Sequence, residues 1–319
     1  MYPTLSTARD AQALLRRYLP VTRLVPAPSL SARSNVYLKV ESDLPTGSFK
    51  PRGALYALST NLARRPIREV TACSTGNHGA AVAFAAKHLG VAATIFLNSN
   101  PNPVKRARIA ALGARIEQDG APDLAAAFQN ASRYSQKDGV YFLNDATDPD
   151  IPIGGPGVIA LEIFEQQPAT DAIIVPMGDT ALIRGLAAVA KQLSPKVRII
   201  GVQAERAPSY VLSWREGRPH PTDSCDTIAD GLATRTPEPA NVDAIRQLVD
   251  DVRLVSEDQL LHAIRHLLFE EHLVAEPAGA AATAAMLAEP QPFGDHVVAL
   301  LTGANVVPEV LRSAASLNR

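Results

Sequence analysis

Lys50 carries the chemistry around which this sequence can be organised. It lies among turn-forming residues (Pro45, Gly47 and Pro51) and directly before an apolar, helix-like run at residues 54–62. A lysine held at the start of a helix and partly desolvated is expected to have a lowered pKa, so that it can attack an aldehyde. A lysine in a solvated loop is the ordinary alternative, and other parts of the chain must decide between the two.

Three other segments could bind anions, because each follows a predicted strand and opens a predicted helix. They are residues 74–79, 178–182 and 301–305. Exposed amides and the positive end of the helix dipole favour negative groups at such a position. Each segment taken alone fits a capped helix start or a simple turn at least as well.

Short apolar strands alternate with helices along the chain. The predicted strands are residues 35–41, 70–74, 92–97, 114–117, 140–143, 172–176, 197–202, 251–255 and 296–301. The predicted helices are residues 7–19, 54–62, 80–89, 105–112, 124–137, 181–193, 257–271 and 306–316. This alternation is typical of an α/β protein with a largely parallel sheet.

Composition and charge argue against several classes of function. The 319 residues carry a net charge of -1 and no cluster of Lys and Arg, which argues against nucleic acid or an anionic membrane as a partner. The N-terminus lacks the features of a signal peptide, and no segment approaches a membrane span. Two cysteines, Cys73 and Cys225, are too few for a disulfide framework and fit a reducing compartment. We expect a soluble, cytoplasmic protein.

The segment SFKPRGA, residues 48–54, resembles the lysine segment of the fold-type II pyridoxal-phosphate enzymes, and of their serine/threonine dehydratase branch in particular. The likeness continues over nearly the whole chain. It implies a two-domain α/β fold of the tryptophan synthase β type, with mostly parallel open sheets. Residues 1–64 and 149–319 would form a large cofactor-binding domain, and residues 65–148 a smaller inserted domain that carries the asparagine loop. The cofactor would lie in the cleft between them.

The same resemblance implies which residues form the site. Lys50 would hold pyridoxal 5′-phosphate covalently and later remove the substrate α-proton, and Thr75 would be a second catalytic residue. The remaining cofactor contacts would be Phe49, Asn77, Gly178, Asp179, Thr180, Ala181, Leu182 and Thr302. The substrate-binding residues would be Ser74, Thr75, Gly76, Asn77, His78 and Gly231.

The resemblance also separates the roles within these loops. Asn77 would hydrogen-bond the pyridoxal 3′-oxygen, while the loop amides and the Thr75 hydroxyl would hold the substrate α-carboxylate. His78 is interpreted mainly as a structural histidine at a helix start. Thr302 would meet the pyridine nitrogen. A neutral hydroxyl gives that nitrogen no reason to hold a proton, which favours β-elimination over transamination.

The phosphate loop is the clearest departure from the family pattern. The family usually has a run of glycines here, whereas this chain has Gly178 followed by Asp179. An acid beside a dianionic phosphate costs electrostatic energy unless it turns outward or pairs with a cation such as Arg184. We expect Asp179 to cap the helix with its side chain directed away. The amides of residues 178–182 and the Thr180 hydroxyl would then hold the phosphate.

Three weaker matches to the family remain. Residues 154–162 resemble a structural Gly-rich turn, residues 227–233 a segment on the substrate side, and residues 276–280 a helix start near the ring. Some relatives bind a divalent cation through an acid where this chain has Gln203, with Glu205 nearby. No metal site is therefore predicted.

Together these features predict a pyridoxal-phosphate-dependent ammonia-lyase that acts on a serine- or threonine-type amino acid and yields a 2-keto acid and ammonia. Racemisation, β-replacement, or elimination from another β-hydroxy amino acid such as 3-hydroxyaspartate are alternatives on the same scaffold. A pyridoxal-phosphate-binding protein without turnover is a further alternative, because Asp179 could mark a decayed phosphate site. The resemblance implies a homodimer, and the only other partner expected is a small amino acid.

Overall fold

The computed structural model describes residues 2–74, 76–99, 101, 103–118, 120–289 and 291–317. Its strands are β1 Leu24–Pro26, β2 Asn35–Val40, β3 Glu69–Cys73, β4 Ala92–Phe96, β5 Arg115–Glu117, β6 Val140–Phe142, β7 Ala172–Pro176, β8 Arg198–Ala204, β9 Asp251–Val255 and β10 His296–Leu301. Its helices are α1 Leu5–Leu15, α2 Lys50–Arg64, α3 Asn77–Leu89, α4 Pro103–Ala111, α5 Leu124–Tyr134, α6 Asp150–Gly154, α7 Pro156–Gln166, α8 Ala181–Leu193, α9 Ser209–Glu216, α10 Pro239–Leu248, α11 Glu257–Phe269, α12 Pro277–Ala288 and α13 Pro308–Ala315. Within the described residues, none of these helices combines the length and apolar character that a bilayer span would need.

Six strands form the larger sheet, in the order β1-β2-β10-β7-β8-β9. The edge strand β1 pairs with β2 antiparallel, and the other neighbouring pairs are parallel. Strand β7 is buried along its whole length, as its sequence AIIVP requires, because helices cover both faces of a parallel sheet. Ile174 packs toward α11 and α12 on one face, whereas Ile173 and Val175 pack toward α7 and α8 on the other.

Four strands form the smaller sheet, in the order β5-β4-β3-β6, and all of its pairs are parallel. Its strands come from one continuous part of the chain, between Glu69 and Phe142. The Ala-rich helix α3 packs closely against α2 through residues such as Leu55 and Leu58. The predicted α/β class with mostly parallel sheets is confirmed, while the domain limits at residues 64 and 148 stay a prediction.

A buried ionic network anchors the first turn of α2. The Arg52 guanidinium donates to Glu41 at 2.8 Å and, through two nitrogens, to both carboxylate oxygens of Glu162 at 2.8 Å. The Lys39 amine donates to the same Glu162 carboxylate at 2.8 Å, and the Thr22 hydroxyl donates to Glu41. All four charged side chains are buried. Two positive and two negative groups therefore neutralise one another beneath the segment that carries Lys50.

The loop before α2 is clasped by the turn after β10. The Phe49 amide donates to the Thr302 carbonyl at 3.0 Å, and the Ala304 amide donates to the Gly47 carbonyl at 2.9 Å. A β-bridge joins Ser48 to Gly303 between these two bonds. Lys50 is thus positioned by backbone contacts with a segment about 250 residues further along the chain.

Candidate active site

The predicted loops meet around a single cavity of about 420 Å³, at the carboxyl ends of strands from both sheets. Among the predicted residues, those that line it are Phe49, Lys50, Ser74, Gly76, Asn77, His78, Gly178, Asp179, Thr180, Leu182, Gly231 and Thr302. Ala181 does not line it with its side chain, which belongs to a hydrophobic core. Thr75 lies outside the described residues. The volume is in the range of sites that bind a small-molecule cofactor with its substrate.

Lys50 lies at the first position of α2, where its amine faces two carboxylates. Its Nζ is 2.6 Å from an oxygen of Asp145 and 4.0 Å from an oxygen of Asp179, and it lies 5.4 Å from the centre of the Phe49 ring. Burial lowers the pKa of the Lys50 amine, but the Asp145 and Asp179 carboxylates outweigh it and raise that pKa above its ordinary value. The expectation of a lowered pKa is therefore wrong, because it considered burial without these neighbours.

Asp145 is a site residue that the sequence did not reveal. Its carboxylate also lies 3.7 Å from His78 Nδ1, and His78 donates its other ring N–H, on Nε2, to the Leu143 carbonyl at 2.8 Å. Burial raises the pKa of Asp145, yet the nearby His78 and Lys50 hold it well below its usual range. The segment at residues 144–152 reads as a connection rich in Asp and Pro, and nothing in its pattern distinguishes Asp145 from its neighbours.

Asp179 points into the cavity, so the expectation that its side chain is directed away is wrong. One carboxylate oxygen accepts from the Ala181 amide at 3.4 Å, as a weak cap of α8, and the other faces Lys50. The Lys50 ammonium group compensates the negative charge of Asp179, and Asp179 would lose this interaction if its side chain pointed outward. Burial raises the pKa of Asp179, and the Asp145 carboxylate adds to this effect. A protonated acid at this position would remove most of the repulsion toward a phosphate.

Arg184 supports the phosphate loop through Thr180 instead of through Asp179. Its Nε donates to the Thr180 hydroxyl oxygen at 3.0 Å, and its Nη2 donates to the Ala146 carbonyl at 3.4 Å. Thr180 adopts a left-handed backbone conformation with φ of 72° directly before α8. Successive amides in a turn of this kind form a concave site for anions. This arrangement of amides, a hydroxyl and a nearby guanidinium fits a phosphate ester.

Gly178 lines the cavity beside the phosphate loop, at a position where no side chain fits. A Cβ at this position would lie 2.4 Å from the Gly231 carbonyl oxygen, a backbone atom on the opposite wall. Overpacking of this kind costs about 1–3 kcal/mol. We expect Gly178→Ala to weaken pyridoxal-phosphate affinity roughly tenfold or more, as measured by titrating cofactor-free protein and following absorbance.

The reciprocal variant Gly231→Ala is the graded control for that experiment. Its added Cβ would meet only the Ala278 Cβ, at 3.0 Å, and a methyl group can shift more easily than a backbone carbonyl. A smaller loss of cofactor affinity is therefore expected. Equal affinity in Gly178→Ala and the parent protein would contradict the placement of the phosphate beside Gly178.

The end of the cavity near Thr302 contains a chain of amide and carboxyl groups. The Asn305 amide donates to the Asn77 Oδ1 at 2.5 Å, and the Asn77 amide donates to Glu276 Oε1 at 2.5 Å. This chain fixes which way the Asn77 side chain faces. The other carboxylate oxygen of Glu276 is buried without a hydrogen-bond partner among the described residues. Burial, aided by Asp230, raises the pKa of Glu276 to about 7.

That buried carboxyl predicts a pH-dependent stability. Since the pKa of Glu276 is about 7 in the folded protein and 4.5 ordinarily, the folded state keeps a proton that the unfolded chain has lost. The free energy of unfolding should fall by about 3 kcal/mol between pH 4.5 and pH 7.5 through this group. Glu276→Gln should flatten that decline when cofactor-free protein is unfolded with urea at several pH values.

The exposed residue Glu165 provides the matched control for this measurement. Its side chain is 50% exposed and pairs with Arg16 at the surface, so Glu165→Gln should keep the parent's pH dependence. An unchanged slope in Glu276→Gln would show that Glu276 ionises normally in the folded protein.

The wall opposite the asparagine loop comes from the 3-10 turn Asp230–Leu232. Asp230 forms an ion pair with Lys105 of α4, and this pair connects the two walls at the mouth of the cavity. Both Asp230 and the predicted substrate residue Gly231 line the cavity, as do Cys73 and Cys225.

Gln203, at the position considered for a metal ligand, has a structural contact instead. Its side-chain carbonyl accepts from the Tyr210 and Val211 amides at 3.1 and 3.0 Å and so caps the start of α9. Among the residues that the structure describes, no group of three or more His, Cys, Asp or Glu side chains is arranged to hold a metal ion.

Comparisons with known proteins agree with this geometry. A family profile described as "Pyridoxal-phosphate dependent enzyme" matches residues 15–303. The L-threonine ammonia-lyase of Thermotoga maritima is 34% identical over 305 residues, which cover 95% of this chain and 76% of that protein. A threonine deaminase from the organism abbreviated T.th. superposes with a TM-score of 0.89 at 31% identity, covering 96% of this chain and 99% of the other. Maize serine racemase superposes with a TM-score of 0.92 at 27% identity, and the match covers 98% of this chain and 97% of the other.

Proposed function

Because the chain belongs to the family of pyridoxal-phosphate-dependent enzymes, we propose that it is an ammonia-lyase that eliminates water from a β-hydroxy amino acid such as L-threonine or L-serine. The resemblance inferred from the Lys50 segment is confirmed. The observation that carries the proposal is the meeting of the Lys50 amine with three strand-to-helix loops in one cavity. Two of the similar proteins are named as a threonine ammonia-lyase and a threonine deaminase.

The chain offers a group for each part of the cofactor. Lys50 would bond its aldehyde, the amides at the start of α8 with the Thr180 hydroxyl would hold its phosphate, and Asn77 would face its 3′-oxygen. Thr302, nearly buried at the end of β10, would meet the ring nitrogen. Bound pyridoxal phosphate supplies the electron sink that stabilises negative charge at the substrate α-carbon.

The protein's own groups then select and drive elimination. The loop at residues 74–78, at the start of α3, would orient the substrate carboxylate through its amides. The Lys50 amine would take the α-proton as a general base and become an ammonium ion beside Asp145. Since Thr302 offers a neutral hydroxyl, it would leave the ring nitrogen of the bound cofactor unprotonated, which would favour early loss of the substrate β-hydroxyl.

A screen for keto-acid release tests the proposal directly. Purified protein loaded with pyridoxal phosphate is offered L-threonine, L-serine, 3-hydroxyaspartate and a β-amino amino acid, with and without a divalent cation. We expect 2-keto acid and ammonia in equal amounts from at least one β-hydroxy substrate. Bound cofactor with neither keto acid nor the opposite enantiomer formed from any substrate would support a binding protein without turnover.

Racemisation is the second candidate, and the similarity to maize serine racemase favours it. It needs a second proton carrier on the opposite face of the substrate, and Thr75 is the residue that the sequence offers there. A chiral assay on D- and L-serine separates the two reactions. Formation of the enantiomer without keto acid would favour racemisation.

The assembly and location of the protein stay predictions. The family resemblance supports a homodimer, and the cysteine content supports a reducing, cytoplasmic location. Light scattering coupled to size-exclusion chromatography would measure the oligomeric state.

A further inference from the structure

Asp145 lies at the centre of the site, beside the Lys50 amine that would take the substrate α-proton. We propose that Asp145 is a positioning residue that keeps Lys50 a strong base, and that His78 holds Asp145 in place for this task. The inference rests on the proposed function, because it concerns the step in which Lys50 accepts the substrate α-proton.

The first support is the geometry around the lysine amine. Asp145 Oδ2 lies 2.6 Å from Lys50 Nζ, which is the distance of a charge-assisted hydrogen bond. The side chains of Lys50 and Asp145 are only 19% and 24% exposed, so solvent screens this pair weakly. Asp179 is further away, at 4.0 Å, and only faces the amine.

The second support is that the structure holds Asp145 from two sides. His78 is nearly buried on α3 and is fixed through its bond to Leu143, two residues before Asp145, with Nδ1 directed at the Asp145 carboxylate. The next residue, Ala146, offers its carbonyl to Arg184 and Asn241, both at 3.4 Å. The acid is thus tied both to the asparagine-loop helix and to the phosphate-loop helix.

The third support is the balance of charge. The groups that face Lys50 are Asp145 from the loop after β6, Asp179 from the loop before α8, and Glu276 from the start of α12. Those that face Asp145 are Lys50, His78, Asp179 and Cys73. Burial raises the pKa of Asp179 and of Glu276, whereas His78 and Lys50 lower that of Asp145, so the site favours the charged form most strongly at Asp145.

These features define what Asp145 contributes to proton transfer. Lys50 would be neutral at this point, because the substrate amine would have displaced it from the cofactor aldehyde. When the substrate α-carbon–hydrogen bond breaks, the proton would move to Lys50 Nζ, which would become an ammonium ion. Asp145 remains a carboxylate throughout and stabilises the new positive charge at 2.6 Å. A base whose conjugate acid is stabilised in this way has a larger driving force for abstracting a proton.

The first test measures how strongly Asp145 affects the reactivity of the Lys50 amine, without any catalysis. In the cofactor-free full-length protein, the Lys50 amine is labelled with trinitrobenzenesulfonate across pH 7–11, and the label is quantified by peptide mass spectrometry. We expect Asp145→Asn to be labelled at Lys50 at least ~10-fold faster at pH 9, because one unit of lost pKa gives a tenfold larger neutral fraction. Asp138→Asn, a change of the same kind at an exposed acid, should match the parent. Overlapping profiles for Asp145→Asn and the parent would overturn the proposal.

The second test uses the loaded enzyme and a readout that a merely structural role would not move. With α-deuterated substrate, we expect Asp145→Asn to lower kcat roughly 10²-fold, to change KM less than threefold and to enlarge the deuterium isotope effect on kcat. Asp145→Glu, which restores a carboxylate, should recover part of the loss. A decrease in kcat with an unchanged isotope effect would overturn the role in proton transfer.

The two tests separate this inference from the proposed function. If the parent protein releases no keto acid from any substrate, the proposed function fails, while the labelling experiment still decides whether Asp145 controls the Lys50 amine.

Discussion

Replacing Lys50 with alanine is expected to abolish turnover and to remove the absorbance band near ~420 nm that lysine-bound pyridoxal phosphate gives. The variant loses both the covalent attachment and the general base, and the base alone is worth about 10²–10⁴-fold in rate. Cofactor binding should persist in weakened form, because the phosphate loop and Asn77 do not depend on the amine. The measurement is the absorbance spectrum together with keto-acid release.

Lys87→Ala is the control for this variant. Lys87 lies exposed near the end of α3, on the same helix as Asn77 and His78, so its loss should leave both spectrum and rate unchanged. Full turnover in Lys50→Ala would end the assignment of Lys50 as the catalytic lysine.

Replacing Arg52 with alanine should produce the largest loss of stability among the variants considered. Arg52 is buried and binds both Glu41 and Glu162 at 2.8 Å, so truncation leaves two buried carboxylates with Lys39 as the one cation of the network that remains. Breaking a buried ion pair from one side costs about 3–5 kcal/mol. Urea unfolding of the parent and variant proteins should show this difference in the free energy of unfolding.

An exposed arginine gives the comparison. Arg16 pairs with Glu165 at 3.3 Å with both side chains about half exposed, and such pairs contribute about 0–1 kcal/mol. Arg16→Ala should therefore unfold almost as the parent does. A loss below about 1 kcal/mol in Arg52→Ala would mean that the network relaxes or admits water when the guanidinium is removed.

The features that depend on local pattern were predicted well from the sequence. Strand β7 and helix α8 have the predicted limits, because a run of buried β-branched residues followed by an amphipathic helix leaves little choice. Helix α2 begins four residues earlier than the apolar run suggested, since Pro51 is favourable in the first turn of a helix. The three-residue edge strand β1 gave no signal, because so short a segment carries no periodicity.

The features that depend on distant contacts could not be read from the sequence. Asp145 meets Lys50 across 95 residues, and Glu162 meets Arg52 across 110. Charged residues in a sequence pattern predict exposed side chains, so a buried ionic network leaves no signal in the pattern. The same limit explains Asp179, whose direction is decided by the amine of Lys50 and not by its neighbours in the chain.

The clasp between the loop at residues 47–49 and the turn at residues 302–304 sets the order in which this enzyme can mature. As the chain leaves the ribosome, the lysine appears about 250 residues before strand β10, which lies between β2 and β7. Until β10 inserts, the lysine loop has no backbone partner and the larger sheet lacks an interior strand. Vitamin B6 capture therefore has to wait until β10 has been synthesised, and a chain interrupted before β10 would carry the Lys50 amine without a complete pocket around it.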